Sequence, residues 1–436
     1  MACLESTVFD FPAEIVIEFV KHHSQDHAVL AKCSLVSRKW RPLSQSFIFS
    51  TVTFSTRSDF RRWEAWFAES SDLVNYVRRV RCTNRDSWTD SDSDTSSGTD
   101  TDNESLWQEE TWNLGIMPQV SELEWLLPAD LEFPVAATDD GVKAVLRMLP
   151  NVKRIKVGGL FENWRYLAEF LGHWGADKLE AVVLDSQLTF CGDREDEGPE
   201  SKTSFNFLSL KRLELSIKDQ FDYYNHDWVL DDYLSIISKA SVPTPIHANL
   251  NHLVLDPLSL SQPILYRLLQ ETSQTLKYLE MNPSCSPFHE ESSFTTAVPL
   301  HALHTLHLGP FKITIQTGPT QDLTWSTDVF LPLFRAPCVN RVEISFDVPH
   351  PNYLVNWIPS YPWRSGLIKS VLESMENTKE LVLCFVTRRE VVAECKEMIE
   401  KQVQRYVFSA TQFDRKLSVV WTVRDISIWE EIWLDS

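Results

Sequence analysis

The sequence contains few glycines and none of the common catalytic motifs. Only 12 of its 436 residues are glycine, and they do not cluster. Phosphate-binding loops need grouped glycines, and neither G-x-x-x-x-G-K-[ST] nor G-x-G-x-x-G occurs. The nucleophile elbow G-x-S-x-G and the zinc helix H-E-x-x-H are also absent. The sequence therefore predicts a protein that is not an enzyme and that needs no cofactor or metal.

Closely spaced cysteines are lacking as well. The chain has 8 cysteines, but no two of them form a C-x-x-C pair. Disulfide frameworks and zinc modules space their cysteines closely, so neither is predicted. Buried, reduced thiols suit the cytoplasm or the nucleus, and we expect the protein to be located there. The eight are Cys3, Cys33, Cys82, Cys191, Cys285, Cys338, Cys384 and Cys395.

Positive charge is scarce. The 41 lysines and arginines are outnumbered by 61 acidic residues, which gives a formal net charge of −20. Nucleic-acid binding and docking on anionic membranes both need a basic face, so neither partner is predicted. No apolar run approaches the ~20 residues of a membrane span. Because Glu5 and Asp10 lie in the opening segment, no signal peptide is expected there.

An acidic segment interrupts an otherwise apolar and aromatic composition. Hydrophobic residues make up 43% of the chain, with 16 Trp and 24 Phe, which is typical of a folded protein. Residues 86–104 instead hold seven carboxylates and no cation among hydroxyl residues. Such a segment buries too little surface to fold, so we predict a disordered insert. It is either a solvated spacer or a target of acidophilic kinases at Ser87, Thr89, Ser91 and Thr99.

A pattern L-x-x-L-x-L recurs along most of the chain. We interpret each copy as the start of a buried strand, because apolar residues alternate at its second half. Starts from the second copy onward are 26 to 40 residues apart. The copies are Val77/Val80/Cys82, Val120/Leu123/Trp125, Val152/Ile155/Val157, Leu179/Val182/Leu184, Leu210/Leu213/Leu215, Leu250/Leu253/Leu255, Leu276/Leu279/Met281, Leu303/Leu306/Leu308, Val339/Val342/Ile344 and Thr378/Leu381/Leu383.

Helical patterns lie between these strands. Alternating strands and helices at this interval resemble a leucine-rich-repeat array, in which neighbouring units bury each other's apolar faces. The units here are longer than the standard 20 to 29 residues and lack the usual Asn, so we predict a degenerate, irregular α/β solenoid. An ordinary α/β domain is the alternative. The helical patterns cover 142–149, 164–174, 228–237, 264–269, 329–334, 367–375 and 391–406; Val419, Trp421 and Val423 predict a closing strand, and Trp429 and Trp433 a terminal cap.

The segment before the repeats reads as two short helices and an apolar tail. Pro12 suits a first helical turn, and Glu14 complements the positive end of the helix dipole. A second apolar helix runs up to Trp40, and Asp26 can cap it. The tail covers residues 47–54. About 45 residues are too few to bury this much apolar surface alone, so part of it must contact another surface.

The order of these residues resembles the F-box. The matching pieces are Phe11-Pro12, Glu14, the helix bearing Leu30, Cys33 and Val36, and Arg38-x-Trp40; the departure is Phe11, where leucine is usual. The resemblance implies docking on the Skp adaptor of a cullin–RING ubiquitin ligase. It divides the chain into an F-box-like segment, 1–56, and a repeat domain, 57–436. The residues predicted to bind the adaptor are Phe11, Pro12, Ile15, Val16, Phe19, Leu30, Cys33, Val36 and Trp40.

Polar positions alternate with the strand leucines and predict a binding face. The early repeats place basic residues there, which suits an acidic or phosphorylated segment of a protein substrate. A solvated strand face is the alternative. His301, His304 and His307 recur every third residue, but strand geometry makes them a poor metal site. The residues predicted to bind substrate are Arg79, Arg81, Arg154, Lys156 and Arg212.

Together these features predict a binding protein. The leading hypothesis is a substrate-recognition subunit of a Skp–cullin–F-box ligase, whose repeats bring an unidentified protein substrate near the ubiquitin-conjugating enzyme. The second is a structural scaffold whose N-terminal helices only cap the repeats. The third is a hydrolase or transferase with an unrecognised site.

Overall fold

The computed structural model shows a mixed α/β protein with an N-terminal helical region and a twelve-strand parallel sheet. The chain divides into two compact units, the first formed by Met1–Leu179 with Gln187–Pro199 and the second by Glu180–Ser186 with Glu200–Ser436. The structure describes residues 12–23, 26–36, 38, 40–55, 57–83, 115–126, 140–161, 164–174, 178–190, 209–216, 249–256, 262–281, 297–312, 331–348, 367–387, 391–411 and 416–423.

The first unit begins with four helices. They are α1 (Ala13–His22), α2 (His27–Val36), α3 (Trp40–Ile48) and α4 (Arg57–Glu69), and a 3₁₀ turn, Ser71–Tyr76, follows. The Asp26 carboxylate accepts a hydrogen bond from the Val29 backbone N–H at 3.0 Å, which confirms the predicted cap.

The first unit also contains four parallel strands, the first of them between α3 and α4, and two further helices. The strands are β1 (Thr51–Phe54), β2 (Arg79–Thr83), β3 (Glu122–Leu126) and β4 (Arg154–Phe161). The helices are α5 (Asp140–Met148) and α6 (Trp164–Gly172). Both match helical patterns in the sequence, and the α6 ring of Phe170 packs on Trp125 of β3 at 5.2 Å between centroids.

The second unit continues the same alternation. Strand β5 (Ala181–Phe190) begins in the second unit and its last four residues belong to the first. The other strands of the second unit are β6 (Arg212–Ser216), β7 (His252–Asp256), β8 (Tyr278–Met281), β9 (Val298–Pro299), β10 (Thr305–Lys312), β11 (Phe334–Arg335), β12 (Arg341–Val348), β13 (Glu380–Thr387) and β14 (Lys416–Val423). Its helices are α7 (Gln262–Thr272), α8 (Leu367–Ser374) and α9 (Ala393–Thr411). The short strands β9 and β11 pair with each other.

All ten copies of the apolar pattern lie at parallel strands, and their apolar members are buried. In the second unit, Leu213 pairs with Leu253 and Leu253 with Leu279, so equivalent positions stand side by side. The irregular spacing of the copies is absorbed between strands, because a strand's register depends on its apolar alternation and not on loop length. β14 is the closing strand that Val419, Trp421 and Val423 predicted.

Equivalent repeat positions also make equivalent polar contacts. At the second position of eight of the copies, one carbonyl accepts hydrogen bonds from two consecutive N–H groups at the start of the next strand, over 2.7–3.2 Å. The residue before the first apolar position adds a side-chain bond: Asn151 donates to the Pro118 carbonyl at 2.9 Å, and Asn377 to that of Pro337 at 2.6 Å. Each of these bonds joins two consecutive copies of the apolar pattern.

Aromatic rings form a row in the core of the second unit. Phe311, Phe346, Phe385 and Trp421 lie on four adjacent strands, with centroids 6.0, 5.5 and 5.0 Å apart. The register places each ring beside the next, so the row follows from strand pairing alone. Phe311, Phe346 and Phe385 are buried and Trp421 is half-buried, so the row extends the apolar pattern by one more position along these strands.

Three predictions about local structure were wrong. Trp40 does not close the second helix, since α2 ends at Val36 and Trp40 begins α3. The tail 47–54 is not one apolar segment: it ends α3 and then forms β1, which pairs with β2. The pattern 329–334 is a 3₁₀ turn at Leu331–Leu333 followed by β11. The first two errors have the same cause: α2 and α3 were predicted as one longer helix, and the end of α3 and β1 as one apolar segment.

Some predictions lie outside the described residues. These concern Phe11, the acidic insert 86–104, the helix at 228–237, and Trp429 and Trp433. Among the helices that the structure describes, none has both the length and the apolar character needed to cross a membrane.

Candidate functional site

The N-terminal helices share a small apolar core. Val16 and Val20 of α1 and Leu30 of α2 are buried, and Trp40, Leu43, Phe47 and Ile48 of α3 pack against them. Trp40 lies with its ring 5.7 Å from that of Phe19. Helix α3, which the sequence reading did not identify, is therefore the element against which α1 and α2 pack.

The predicted adaptor residues divide into two groups. Ile15, Phe19 and Val36 are exposed by 57%, 42% and 61% of their surface, and Pro12 is exposed as well. Val16, Leu30 and Cys33 are buried and Trp40 is half-buried, so these four stabilise the helices instead of meeting solvent. The helical spacing predicted a single adaptor-binding face, but some of its residues are exposed to solvent and the others are buried among the helices.

One exposed apolar residue was overlooked in the sequence reading. Leu35 is 86% exposed, the highest value among large apolar side chains in the described residues. Adjacent apolar residues such as Leu35 and Val36 point about 100° apart on a helix, so both cannot enter one narrow core. Two adjacent apolar residues near the end of α2 could therefore have indicated from the sequence that at least one of them is exposed.

Basic and acidic side chains alternate across the polar strand positions of the first unit. We call Arg79, Arg81, Glu122, Glu124, Arg154 and Lys156 the first polar face. The Arg79 guanidinium donates to the Glu122 carboxylate at 2.8 and 2.5 Å, and Arg154 reaches the same carboxylate at 3.1 Å. Arg81 pairs with Glu124 at 2.5 Å. β3 therefore lies as a carboxylate row between two basic strands.

The structure brings four of the five predicted substrate residues together, and three of them, Arg79, Arg81 and Arg154, form ion pairs with the β3 carboxylates. Glu122 and Glu124 alternate with Leu123 and Trp125 on β3. They were not predicted as part of a binding face, because the outward positions of this copy were not considered. Two cations remain in excess over the carboxylates, so the first polar face keeps a positive field. Partly exposed ion pairs contribute only about 0–1 kcal/mol each, which leaves these arginines able to exchange partners.

Arg212, the fifth predicted residue, belongs to the second unit. There it donates to Glu214 of its own strand at 3.0 Å. We call the polar positions of this unit the second polar face; its members are Arg212, Glu214, His252, Tyr278, Glu280, Thr305, His307, Arg341, Glu343, Ser345, Glu380, Cys384, Lys416 and Ser418. Arg341 donates to Glu343 at 2.6 Å and to Glu380 at 3.0 Å, and Lys416 also pairs with Glu380.

The centre of the second polar face is a cluster of uncharged and acidic groups. The rings of His252 and Tyr278 stack with centroids 4.1 Å apart. The Tyr278 hydroxyl donates to Glu280 at 2.9 Å and lies 3.1 Å from Nδ1 of His307. Nε2 of His307 bonds to the Ser345 hydroxyl. The sequence analysis did not predict this cluster, because its members lie on different strands, from His252 to Ser345, and meet only through strand pairing.

Burial determines the charge states in this cluster. It lowers the pKa of His252 to about 4, and the charge of Arg212 adds to this effect, so the ring is neutral at pH 7. Burial and the charge of Glu280 raise the pKa of Tyr278, which keeps its proton. Burial also opposes ionisation of Glu280, but hydrogen bonds from His307 and Tyr278 outweigh it and the pKa of Glu280 is lowered.

The histidine triplet does not form a metal site. His301 and His304 are exposed before β10, while His307 points into the cluster on the strand. Within the described ranges, no group of three or more His, Cys, Asp and Glu side chains is arranged to hold a metal ion.

No protein-family model matches the chain, and no curated protein matches it in sequence.

Proposed function

We propose that this chain is the substrate-recognition subunit of a Skp–cullin–F-box ubiquitin ligase. Helices α1 and α2 dock on the Skp-type adaptor, and the strands and helices that follow form a degenerate leucine-rich-repeat-like solenoid that binds the substrate. The chain performs no ubiquitin chemistry itself; it contributes by raising the effective concentration of substrate near the conjugating enzyme.

Exposed apolar side chains on α1 and α2 are the observation that carries this proposal. Among the described residues, ten large apolar side chains are exposed, and four of them lie in these two helices. The four are Ile15, Phe19, Leu35 and Val36. Exposed apolar groups concentrated in one segment are typical of a protein-binding site.

The equivalent contacts of successive repeats support the solenoid. Eight copies of the apolar pattern make the same pair of backbone hydrogen bonds to the next strand, and Asn151 and Asn377 precede two of the copies at the same position. In an ordinary α/β domain, loop contacts need not recur at fixed positions. A repeat array requires such recurrence, because every unit is stabilised by its neighbours.

The first polar face supports an acidic substrate segment. Its excess of cations attracts carboxylates or phosphates, and arginine forks bind both groups in a bidentate manner. The ion pairs of these arginines with Glu122 and Glu124 are partly exposed and weak, so a carboxylate or phosphate of the substrate can replace them.

A scaffold without an adaptor is the second candidate. The observation in its favour is that α3 leads within a few residues into β1, which extends the sheet beside β2. The N-terminal helices are thus continuous with the repeats and can serve to cap them.

The deciding experiment is capture of a Skp-type adaptor by the purified full-length chain. We expect Ile15→Asp with Val36→Asp to weaken capture at least tenfold while circular dichroism and melting temperature stay unchanged, because both side chains are exposed. The matched control is Val392→Asp with Val423→Asp, two residues of comparable exposure, 66% and 50%, in the second unit. Failure of the unaltered, folded chain to capture the adaptor would leave the scaffold as the function.

The variant Leu30→Asp changes the buried side of the helices and therefore does not test docking. Leu30 is fully buried, so a carboxylate there should unfold α1 to α3 whatever their partner. Loss of capture in that variant therefore carries no information on docking, and the exposed pair must be used.

A further inference from the structure

Ser345, His307 and Glu280 are aligned across three neighbouring strands. β8, β10 and β12 are adjacent in the sheet, and the register places Glu280 opposite His307. Nε2 of His307 bonds to the Ser345 hydroxyl, and Nδ1 lies 3.3 Å from the Glu280 carboxylate. A hydroxyl at one imidazole nitrogen and a carboxylate at the other is the arrangement that activates a serine.

The hydrogen-bond partners determine which nitrogen of His307 carries the proton. The Tyr278 hydroxyl gives its own proton to Glu280, so toward His307 it can only accept. Both neighbours of Nδ1 are then acceptors, which requires the proton of the neutral ring on Nδ1. Nε2 is left with a free lone pair, and the Ser345 hydroxyl donates to it. This tautomer is the one that can remove the hydroxyl proton.

Cys384 is a neighbouring group that could compete as a nucleophile. Burial and the charge of Glu343 raise the pKa of its thiol, against smaller opposing effects of its hydrogen-bond contact with Ser345 and the charge of Arg341. A thiol reacts as the thiolate, so raising its pKa makes it less reactive. The imidazole of His307 faces Ser345, which makes the serine the better nucleophile of the two.

Access to Ser345 is narrow. The residue is 4% exposed, while the side chains of His307 and Glu280 are 14% and 22% exposed. Gly309 lies beside Ser345 with φ of +115°, and a Cβ added there would collide with the Ser345 carbonyl oxygen. β10 and β12 shift register at this point, between Leu308 and Phe311. The glycine thus permits close backbone packing of β10 against β12 beside Ser345, and the low exposure of Ser345 restricts access to a small reactant.

We propose that Ser345 is a base-activated nucleophile that accepts the acyl group of a small activated ester. Oγ attacks the carbonyl carbon, the new O–C bond forms, and the hydroxyl proton passes to Nε2 of His307. The bond to the leaving oxygen then breaks, and His307 returns the proton to that oxygen, releasing an alcohol. Glu280 is a positioning residue that keeps the ring in this tautomer. The proposal covers formation of the acyl-serine and does not depend on the recognition role.

Labelling of the full-length chain with a fluorophosphonate probe tests the proposal. Such a probe forms an O–P bond with an activated serine and releases fluoride together with the serine proton. We expect one label on the peptide that contains Ser345, and at least a tenfold loss of labelling in Ser345→Ala. Ser418→Ala is the matched control, since Ser418 lies on β14 with its hydroxyl 3.5 Å from Glu380. That variant should label like the unaltered chain.

A second pair of variants separates base catalysis from structural support. His307→Gln keeps a polar side chain but removes the base, and we expect labelling to fall about 10²-fold. His307→Ala should regain part of its labelling when free imidazole is added, which a purely structural role would not produce. Absence of label in the folded, unaltered chain, or a label on any other residue, would overturn the proposal.

Discussion

The two polar faces are built on the same strand alternation but differ in chemistry. The first holds arginines and a lysine around two carboxylates and keeps an excess of positive charge. The second places a stacked His252–Tyr278 pair and the His307–Ser345 contact between its ion pairs. The apolar side of the sheet is alike in both units, because leucines and valines fill equivalent positions. Folding thus constrains one side of these strands and leaves the other to function.

Substitutions on the buried, apolar side of the strands should have the largest effect on the free energy of unfolding. Trp125 in the first unit and Phe385 in the second are both 0% exposed, and Phe385 lies between Phe346 and Trp421. We expect either residue changed to Ala to lower the free energy of unfolding by about 3–5 kcal/mol, through lost burial and the cavity left behind. Urea denaturation measures this. A cost below about 1.5 kcal/mol at one site would show that the two cores are not alike.

Substitutions on the two polar faces should lower the free energy of unfolding by different amounts in the two units. Glu280→Gln should cost about 1–3 kcal/mol of stability, because Tyr278 and His307 both donate to this partly buried carboxylate. Glu122→Gln should cost less than about 1 kcal/mol, since its partners Arg79 and Arg154 are half-exposed. Equal losses in urea denaturation would contradict the contrast between the faces.

The shared repeat contacts should give equal, smaller effects. Asn151→Ala and Asn377→Ala each remove one side-chain bond to a carbonyl of the preceding repeat, worth about 0.5–1.5 kcal/mol. Thermal denaturation of both variants measures the loss. Unequal shifts would mean that the two positions, although equivalent in the repeat, differ in how they hold their neighbours.

His252 should give the smallest effect, and one that depends on pH. Its pKa is about 4 in the folded chain and near 6.5 when unfolded, so the unfolded state binds more protons between these values. The contribution of His252 to the free energy of unfolding is therefore fully present above pH 6.5, decreases as the pH is lowered, and is lost below pH 4. Solvent screening limits it to about 1 kcal/mol. His252→Asn should flatten this part of the pH profile of the melting temperature; an unchanged slope would contradict it.

Much of the fold was predictable because it depends on local alternation. Each copy of the apolar pattern identified a strand, and helices α5 to α9 apart from their bounds matched helical patterns. The N-terminal region was read less well, because α3 and β1 are short and Trp40 could end one helix or begin the next. Of the candidate site, the basic residues were predicted but their carboxylate partners on β3 were not.

The sequence by itself determined which residues are strand core, since alternation of apolar side chains requires no knowledge of neighbours. It also determined the shortage of positive charge and the F-box-like order of residues at the N-terminus. Only the tertiary structure decided that Ile15 and Val36 are exposed while Leu30 is buried, and that Glu280, His307 and Ser345 meet. The reason is physical: strand pairing brings together residues far apart in the chain, and no local pattern records which strands are neighbours.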